Sequence, residues 1–165
     1  MKRPNCITTR YTGASGFTLI ELLVVVAIIG ILSMIAIPAY QQSAIRGMRT
    51  VAQSGLMNLA NLQEQFYLNN KTYTTNMANL GYTAGLVFTI GGDSAVALNA
   101  NQTLVASTAS DREYIIKIDS ASATAYSVVA IPQLGQADDT ECGSLTLTNT
   151  GSRTESGTGT PGDCW

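Results

Sequence analysis

The sequence predicts an α+β fold, a long N-terminal α-helix packed on a C-terminal antiparallel β-sheet, on three observations. A nearly uninterrupted apolar block runs from Phe17 to Ile37. A helical pattern continues it to about Asn70, and four runs rich in β-branched and aromatic residues follow Leu86. At 165 residues the chain supports one core of ordinary size with appendages. Charged residues make only 12% of it and histidine is absent, which removes imidazole-based nucleophile relays and histidine-ligated zinc. There is no phosphate-cradling GxxxxGK loop either, so a catalytic role has little to rest on.

Residues 1–16, MKRPNCITTRYTGASG, form a basic leader carrying Lys2, Arg3 and Arg10 with no acid. In the next 21 residues, FTLIELLVVVAIIGILSMIAI, only Thr18, Glu21 and Ser33 have polar side chains. As a helix this block reaches about 31 Å, enough to cross the hydrocarbon of a bilayer. Because the positive charges precede it, the leader is expected in the cytoplasm and everything after Pro38 outside. A secretory signal is cut after its apolar run, whereas here the small-residue site Ala14-Ser15-Gly16 comes before it. Cutting there keeps the helix and leaves a new ammonium group at Phe17. Glu21 is then an ionisable group within an apolar helix, a position that normally requires a partner.

The segment GFTLIELLVVVAIIGILSMIAIPAY, residues 16–40, resembles the N-terminus of type IV pilins and the related pseudopilins. The resemblance implies cleavage between Gly16 and Phe17 by a prepilin peptidase, N-methylation of Phe17, and subunit assembly in which the Glu21 carboxylate meets the Phe17 amino group of a neighbouring subunit. It also implies that the helix between Gly30 and Pro38 can unwind when subunits enter a filament. Proline deletes one backbone hydrogen bond and crowds the preceding turn, so a helix break or kink is expected at Pro38.

From residue 39 to 70 the helix becomes amphipathic, with Ile45, Met48, Ala52, Gly55, Leu59, Leu62 and Phe66 on one stripe that should cover the sheet. Asn69 and Asn70 should end it. The strands expected are LVFTI (86–90), EYIIKID (113–119), AYSVVAI (125–131) and GSLTLTN (143–149); residues 91–109 read equally as loop, strand or helix. The expected organisation is thus leader (1–16, removed), membrane and filament-core helix (17–38), amphipathic helix (39–70) and sheet domain (71–165).

With Cys6 lost in the leader, Cys142 and Cys164 are the remaining pair and are expected to form one disulfide. Closing that loop is worth roughly 3 kcal/mol on the chain-entropy model. Two cysteines without histidine or a third thiol make a poor zinc site, and Asp138, Asp139 and Glu141 lack the spacing of a calcium loop, so no metal or cofactor is expected and the acids read as a solvated turn. The tail CGSLTLTNTGSRTESGTGTPGDCW resembles minor pilins of the PilE kind.

The function expected is therefore that of a type IV pilus structural subunit, minor or priming, made as an inner-membrane precursor and moved into a surface filament for adhesion, twitching motility or DNA uptake. A major pilin and a type II secretion pseudopilin are the alternatives, the latter disfavoured by the disulfide loop. The expected partners are other pilin subunits, prepilin peptidase, the inner-membrane assembly platform and, before assembly, membrane lipid. Six basic residues (Arg46, Arg49, Lys71, Arg112, Lys117 and Arg153) remain after the leader against 11 acids, a formal charge of −5. That balance argues against direct nucleic-acid binding unless several of the six converge on one patch.

Overall fold

The computed structural model describes residues 16–165; the rest of the basic leader, with Lys2, Arg3, Cys6 and Arg10, lies outside the described residues. The chain divides into two units, one ending at Tyr40 and the other Gln41–Trp165. Helix α1 is assigned from Leu19 to Asn70. Its end falls where the two asparagines predict, and Lys71 follows in the left-handed conformation while its N–H returns to the Tyr67 carbonyl. Pro38 lies inside α1, and the helix assignment continues through it rather than ending there. A proline removes only its own N–H from the ladder, and the turns on either side retain theirs.

The second unit is an antiparallel sheet beneath the latter part of α1. Its strands are β1 (Phe88–Ile90), β2 (Asp93–Asn99), β3 (Leu104–Val105), β4 (Arg112–Ala121), β5 (Tyr126–Pro132), β6 (Leu145–Thr148) and β7 (Arg153–Glu155), with a short helix α2 (Pro161–Cys164) at the end. The sheet order is β1-β2-β4-β5-β6-β7, and β3 also pairs with β2. The fold is that of an α+β pilin, with the Cys142–Cys164 disulfide closing the C-terminal loop.

The alternation of side chains along each strand separates two apolar faces. Val96 and Leu98 of β2, Tyr114, Ile116 and Ile118 of β4, Tyr126, Val128 and Ala130 of β5, and Leu145 and Leu147 of β6 meet α1 in the main core. Ala95, Ala97 and Ile115 point the other way and form a small cluster with Phe88, Ile90, Val105 and Ile131. The ambiguous stretch 91–109 therefore contains the interior strand β2 and the short strand β3 that pairs with it. The outer face of β2 is alanine rather than a β-branched residue, which is why its strand signal is weak.

Helix α1 contributes Val51, Ala52, Leu56 and Leu59 to the core, and Ile45, Met48, Gly55, Leu62 and Phe66 of the predicted stripe are half-buried around them. The stripe is centred about one residue away from the expected line, because two polar residues, Arg49 and Gln63, occupy the buried face as well. Gln63 earns its place by a reciprocal pair: its Nε2 donates to the Thr74 carbonyl at 2.7 Å, and its Oε1 accepts from the Thr74 N–H at 3.1 Å. Gly55 is where α1 comes closest to the sheet, since a Cβ there would lie 2.7 Å from Leu98 Cδ1 and 3.2 Å from Ile116 Cδ1.

Replacing Gln63 with Leu removes both partners of the buried Thr74 backbone. Leaving a donor and an acceptor unpaired costs about 1–3 kcal/mol each. Denaturant unfolding should therefore show Gln63→Leu destabilised by at least about 2 kcal/mol, whereas Met57→Ala on the exposed face should change stability by less than about 0.5 kcal/mol.

Candidate functional site

Two regions carry chemistry, and they lie in different units. The first is the N-terminal stretch of α1. Phe17 is 85% exposed, and the large apolar side chains from Leu19 to Ile37 are all at least 47% exposed, so this helix has no cover from its own chain. It is long and apolar enough to cross a membrane. Thr18 precedes its first turn, and its Oγ1 accepts the Glu21 N–H at 3.3 Å while its carbonyl accepts from Leu22. Thr18-Leu-Ile-Glu21 is thus the N-terminal signature of a capping box, a signal that accounts for the helix start. The reciprocal bond from the Glu21 carboxylate is not formed, and among the described residues that carboxylate has no hydrogen-bond partner. Gly16 and Phe17 are likewise exposed and lie before the helix start.

The second region is the seat of the disulfide loop on α1. Three residues one turn apart on the helix, Ile45, Arg49 and Gln53, each receive a different part of the chain's end. Gln136 Nε2 donates to the Ile45 carbonyl at 3.1 Å, and Gln53 Nε2 donates to the Cys164 carbonyl at 3.0 Å. Between them Arg49, only 6% exposed, donates from Nε and Nη2 to the two oxygens of Asp139 at 2.7 and 2.8 Å. Its Nη2 also reaches Glu141 Oε2 at 2.7 Å, and its Nη1 reaches the Asp163 carbonyl at 3.2 Å. The bidentate bond to Asp139 outweighs the desolvation of burial and holds the Arg49 pKa above its ordinary value.

Asp139 is itself buried, and its Oδ1 accepts the Cys142 N–H at 3.1 Å. The acidic turn is therefore not solvated as the sequence suggests: Asp138 and Thr140 are exposed, but Asp139 turns inward onto Arg49. Potential ligand atoms of Asp139, Glu141 and Cys142 lie within 4.8 Å of one another, yet the sulfur is consumed in the disulfide and both carboxylates are already hydrogen-bonded to the Arg49 guanidinium, so the chemistry of this set does not suit a cation. The Tyr114 hydroxyl is buried beside this network without a partner in hydrogen-bonding geometry, and burial pushes its pKa up.

Cys142 and Cys164 are joined with their Cα atoms 5.5 Å apart. Inside the loop Gly157 and Gly159 donate to the Cys142 and Glu141 carbonyls at 3.1 and 2.7 Å. A Cβ on Gly157 would run into the Glu141 carbonyl, so glycine is required for this close approach. At the end of the chain Thr160 and Asp163 form a complete capping box for α2. Those bonds lower the Asp163 pKa, so its contribution is present above the ordinary carboxylate range and is lost as pH falls through the depressed value. Trp165 stacks under Arg153, with the guanidinium 5.3 Å from the ring centroid, and its indole N–H donates to the Thr154 carbonyl.

The basic residues do not gather. Arg46 and Arg49 pair with the acidic turn, and Lys117 pairs with Asp93 and Asp119. Arg112 opens β4, whereas Lys71 lies two residues before Tyr73, whose N–H bonds Ser122 just past the other end of that strand. Ten residues of strand separate the two by about 30 Å.

An apolar helix uncovered by its own chain, an antiparallel sheet and a disulfide-closed C-terminal loop are the elements of an α+β pilin fold, and comparisons with known proteins agree. A family model described as type IV minor pilin ComP, DNA uptake sequence receptor, matches residues 38–146, and one for the prokaryotic N-terminal methylation motif matches residues 12–37. The chain belongs to the type IV pilin family. It is 43% identical over 67 residues to the type IV wide pilus major component PilA4 of Thermus thermophilus, covering 41% of this chain and 51% of that one. It is 38% identical over 93 residues to a fimbrial protein of Pseudomonas aeruginosa, covering 53% and 60%. It is 40% identical over 67 residues to the type IV major pilin protein PilA of Myxococcus xanthus, covering 41% and 30%. The chain thus spans between 30% and 60% of the length of these relatives.

Removing Arg49 strands a buried carboxylate. Breaking one side of a buried pair costs about 3–5 kcal/mol, so Arg49→Met should lower the unfolding free energy of the oxidised protein by that amount. Glu141→Gln removes a half-exposed partner and should cost under about 1 kcal/mol.

Proposed function

We propose that this chain is a structural subunit of a type IV pilus. In this reading the precursor is cut by prepilin peptidase between Gly16 and Phe17, and Phe17 is N-methylated. Residues 17–38 then hold the subunit in the lipid of the inner membrane with the sheet domain on the periplasmic side. The assembly platform moves it into a surface filament beside other pilin subunits. The observation that carries the reading is the helix from Leu19 to Ile37, apolar, uncovered by its own chain and bearing a carboxylate at Glu21 without a hydrogen-bond partner among the described residues. Lipid covers the apolar surface before assembly, and neighbouring helices cover it afterwards.

A minor subunit is the reading of rank supported by the family description, and a major subunit is the alternative supported by the names of the Thermus and Myxococcus relatives. The description of the family as a DNA uptake receptor favours uptake among the three uses of a pilus. The scattered cations speak against strong DNA binding by this chain alone. The abundance of the protein in sheared filaments tests rank: a dominant band makes it major, a trace band minor.

Glu21→Val tests the filament reading itself. A lone carboxylate in hydrocarbon is costly, so the variant should insert in the membrane and be cut to a form beginning at Phe17. In a filament it leaves the Phe17 ammonium without its partner, at about 3–5 kcal/mol per buried pair. Its share in sheared filaments should therefore fall at least tenfold, about 1.4 kcal/mol, while its membrane level holds. Filament recovery at the wild-type level would show that Glu21 does not hold the subunit in place.

A further inference from the structure

We propose that the C-terminal loop is seated on α1 before its disulfide is made, and that Arg49 and Gln53 are the positioning residues that hold the thiols of Cys142 and Cys164 within bonding reach. The bond is then closed by exchange inside a site the fold has already built, and reduction leaves the loop in place. The inference does not depend on the filament reading.

Each cysteine is tied to the helix through its own backbone or that of its neighbour. On one side the Cys142 N–H donates to Asp139 Oδ1 at 3.1 Å, and both oxygens of Asp139 are fixed by Arg49. On the other, the Asp163 carbonyl accepts from Arg49 Nη1 at 3.2 Å and the Cys164 carbonyl from Gln53 Nε2 at 3.0 Å. Arg49 and Gln53 stand one helical turn apart, about 6 Å along the axis. That spacing falls within the Cα separation a disulfide can span, and the Cα atoms of the two cysteines lie 5.5 Å apart.

A second set of bonds reaches the same pair from inside the loop. The hairpin of β6 and β7 is prolonged past its strands by the Ser156 N–H to the Ser144 carbonyl at 3.0 Å, the Gly157 N–H to the Cys142 carbonyl at 3.1 Å and the Gly159 N–H to the Glu141 carbonyl at 2.7 Å. The capping box of Thr160 and Asp163 then turns the chain into α2 and brings Cys164 back to Cys142. None of these donors and acceptors is a sulfur, so the dithiol chain has all of them. The entropy of closing a segment of 22 residues is a cost borne by whatever closes it. Here a buried bidentate ion pair and the bonds around it close it without the sulfurs.

Oxidation is then two exchanges with a small disulfide. One cysteine thiol gives up its proton, and its thiolate attacks the S–S bond of the oxidant, which forms a mixed disulfide and releases one thiolate. The second cysteine, deprotonated in turn, attacks the sulfur of the first and releases the other thiolate. The protein loses two protons and two electrons, and the oxidant becomes two thiols.

The test is the effective concentration of the two thiols, read from the equilibrium between dithiol and disulfide in mixtures of reduced and oxidised glutathione. The protein is the full chain in detergent micelles, with Cys6→Ser so that only this pair titrates. Arg49→Met should lower the effective concentration at least tenfold, about 30 mV for a two-electron couple. Gln53→Leu should lower it about fivefold, as for loss of one hydrogen bond. Because Gln53→Leu strands no charge, it decides the matter if reduced Arg49→Met does not fold. Gln63→Leu weakens the same core but bonds Thr74 rather than the loop, so it should leave the value within about twofold of wild type, which separates positioning from general stability. In the reduced wild-type protein the Gly157, Thr158 and Gly159 amides should keep their slow exchange with deuterium. An effective concentration unchanged by Gln53→Leu or by folded Arg49→Met, an equal fall with Gln63→Leu, or loss of that amide protection on reduction would each overturn the proposal.

Discussion

Arg49 is a full positive charge held almost out of water, and the seating of the whole C-terminal loop depends on how that charge is neutralised. A buried guanidinium is tolerable only with nearly all of its donors used, and here Asp139, Glu141 and the Asp163 carbonyl take them. Each of these acceptors comes from the region around the disulfide, so the charge draws the start and the end of the loop to one point on α1. The disulfide does something different. It shortens the unfolded ensemble and joins Cys142 to Cys164, but a covalent tie between two loop residues does not by itself choose the helix face on which they rest. Ile45 and Gln53, one turn to each side of Arg49, then align the loop along the helix axis.

The same helix serves two solvents. Its part beyond Gln41 obeys the ordinary rule of one buried stripe, with Ala52, Leu56 and Leu59 against the sheet and Met57 outside. Its part before Ile37 is apolar on every side, which a folded domain cannot satisfy alone. Polar residues are confined there to Thr18, Glu21 and Ser33, and Thr18 is spent on starting the helix. In the proposed filament reading, the Glu21 carboxylate is the charged group that distinguishes this surface from a plain anchor and favours another subunit over lipid.

Much of this was legible in the sequence because strong local signals carry it. The apolar block, the end of α1 at Asn70, strands β4, β5 and β6, and the pairing of Cys142 with Cys164 follow from periodicity, turn chemistry and cysteine arithmetic. What was not legible depends on tertiary context. Strand β2 hides its outer face behind Ala95 and Ala97, small residues that fit because Phe88, Ile90 and Ile115 cover them. The three-residue strand β7 has little local signal and is held by pairing with β6 and by the Trp165 indole. Arg49 and Gln63 read as solvent-facing by their polarity, and only their partners about ninety and eleven residues away make burial possible. Asp139 differs from Asp138 in nothing that composition can detect. A charged residue exactly one turn from two other loop contacts is a pattern that could have raised the question, but its answer needs the fold.

The most direct measurement of the clasp is amide hydrogen exchange on the oxidised Arg49→Met protein. If the ion pair seats the loop, protection should fall together at Cys142, whose N–H is bonded to Asp139, and at Gly157, Thr158 and Gly159, whose N–H groups bond the 140–142 carbonyls, although the disulfide is intact. Wild-type protection at all four amides in that variant would contradict this, and would mean that the disulfide alone holds the loop on the helix.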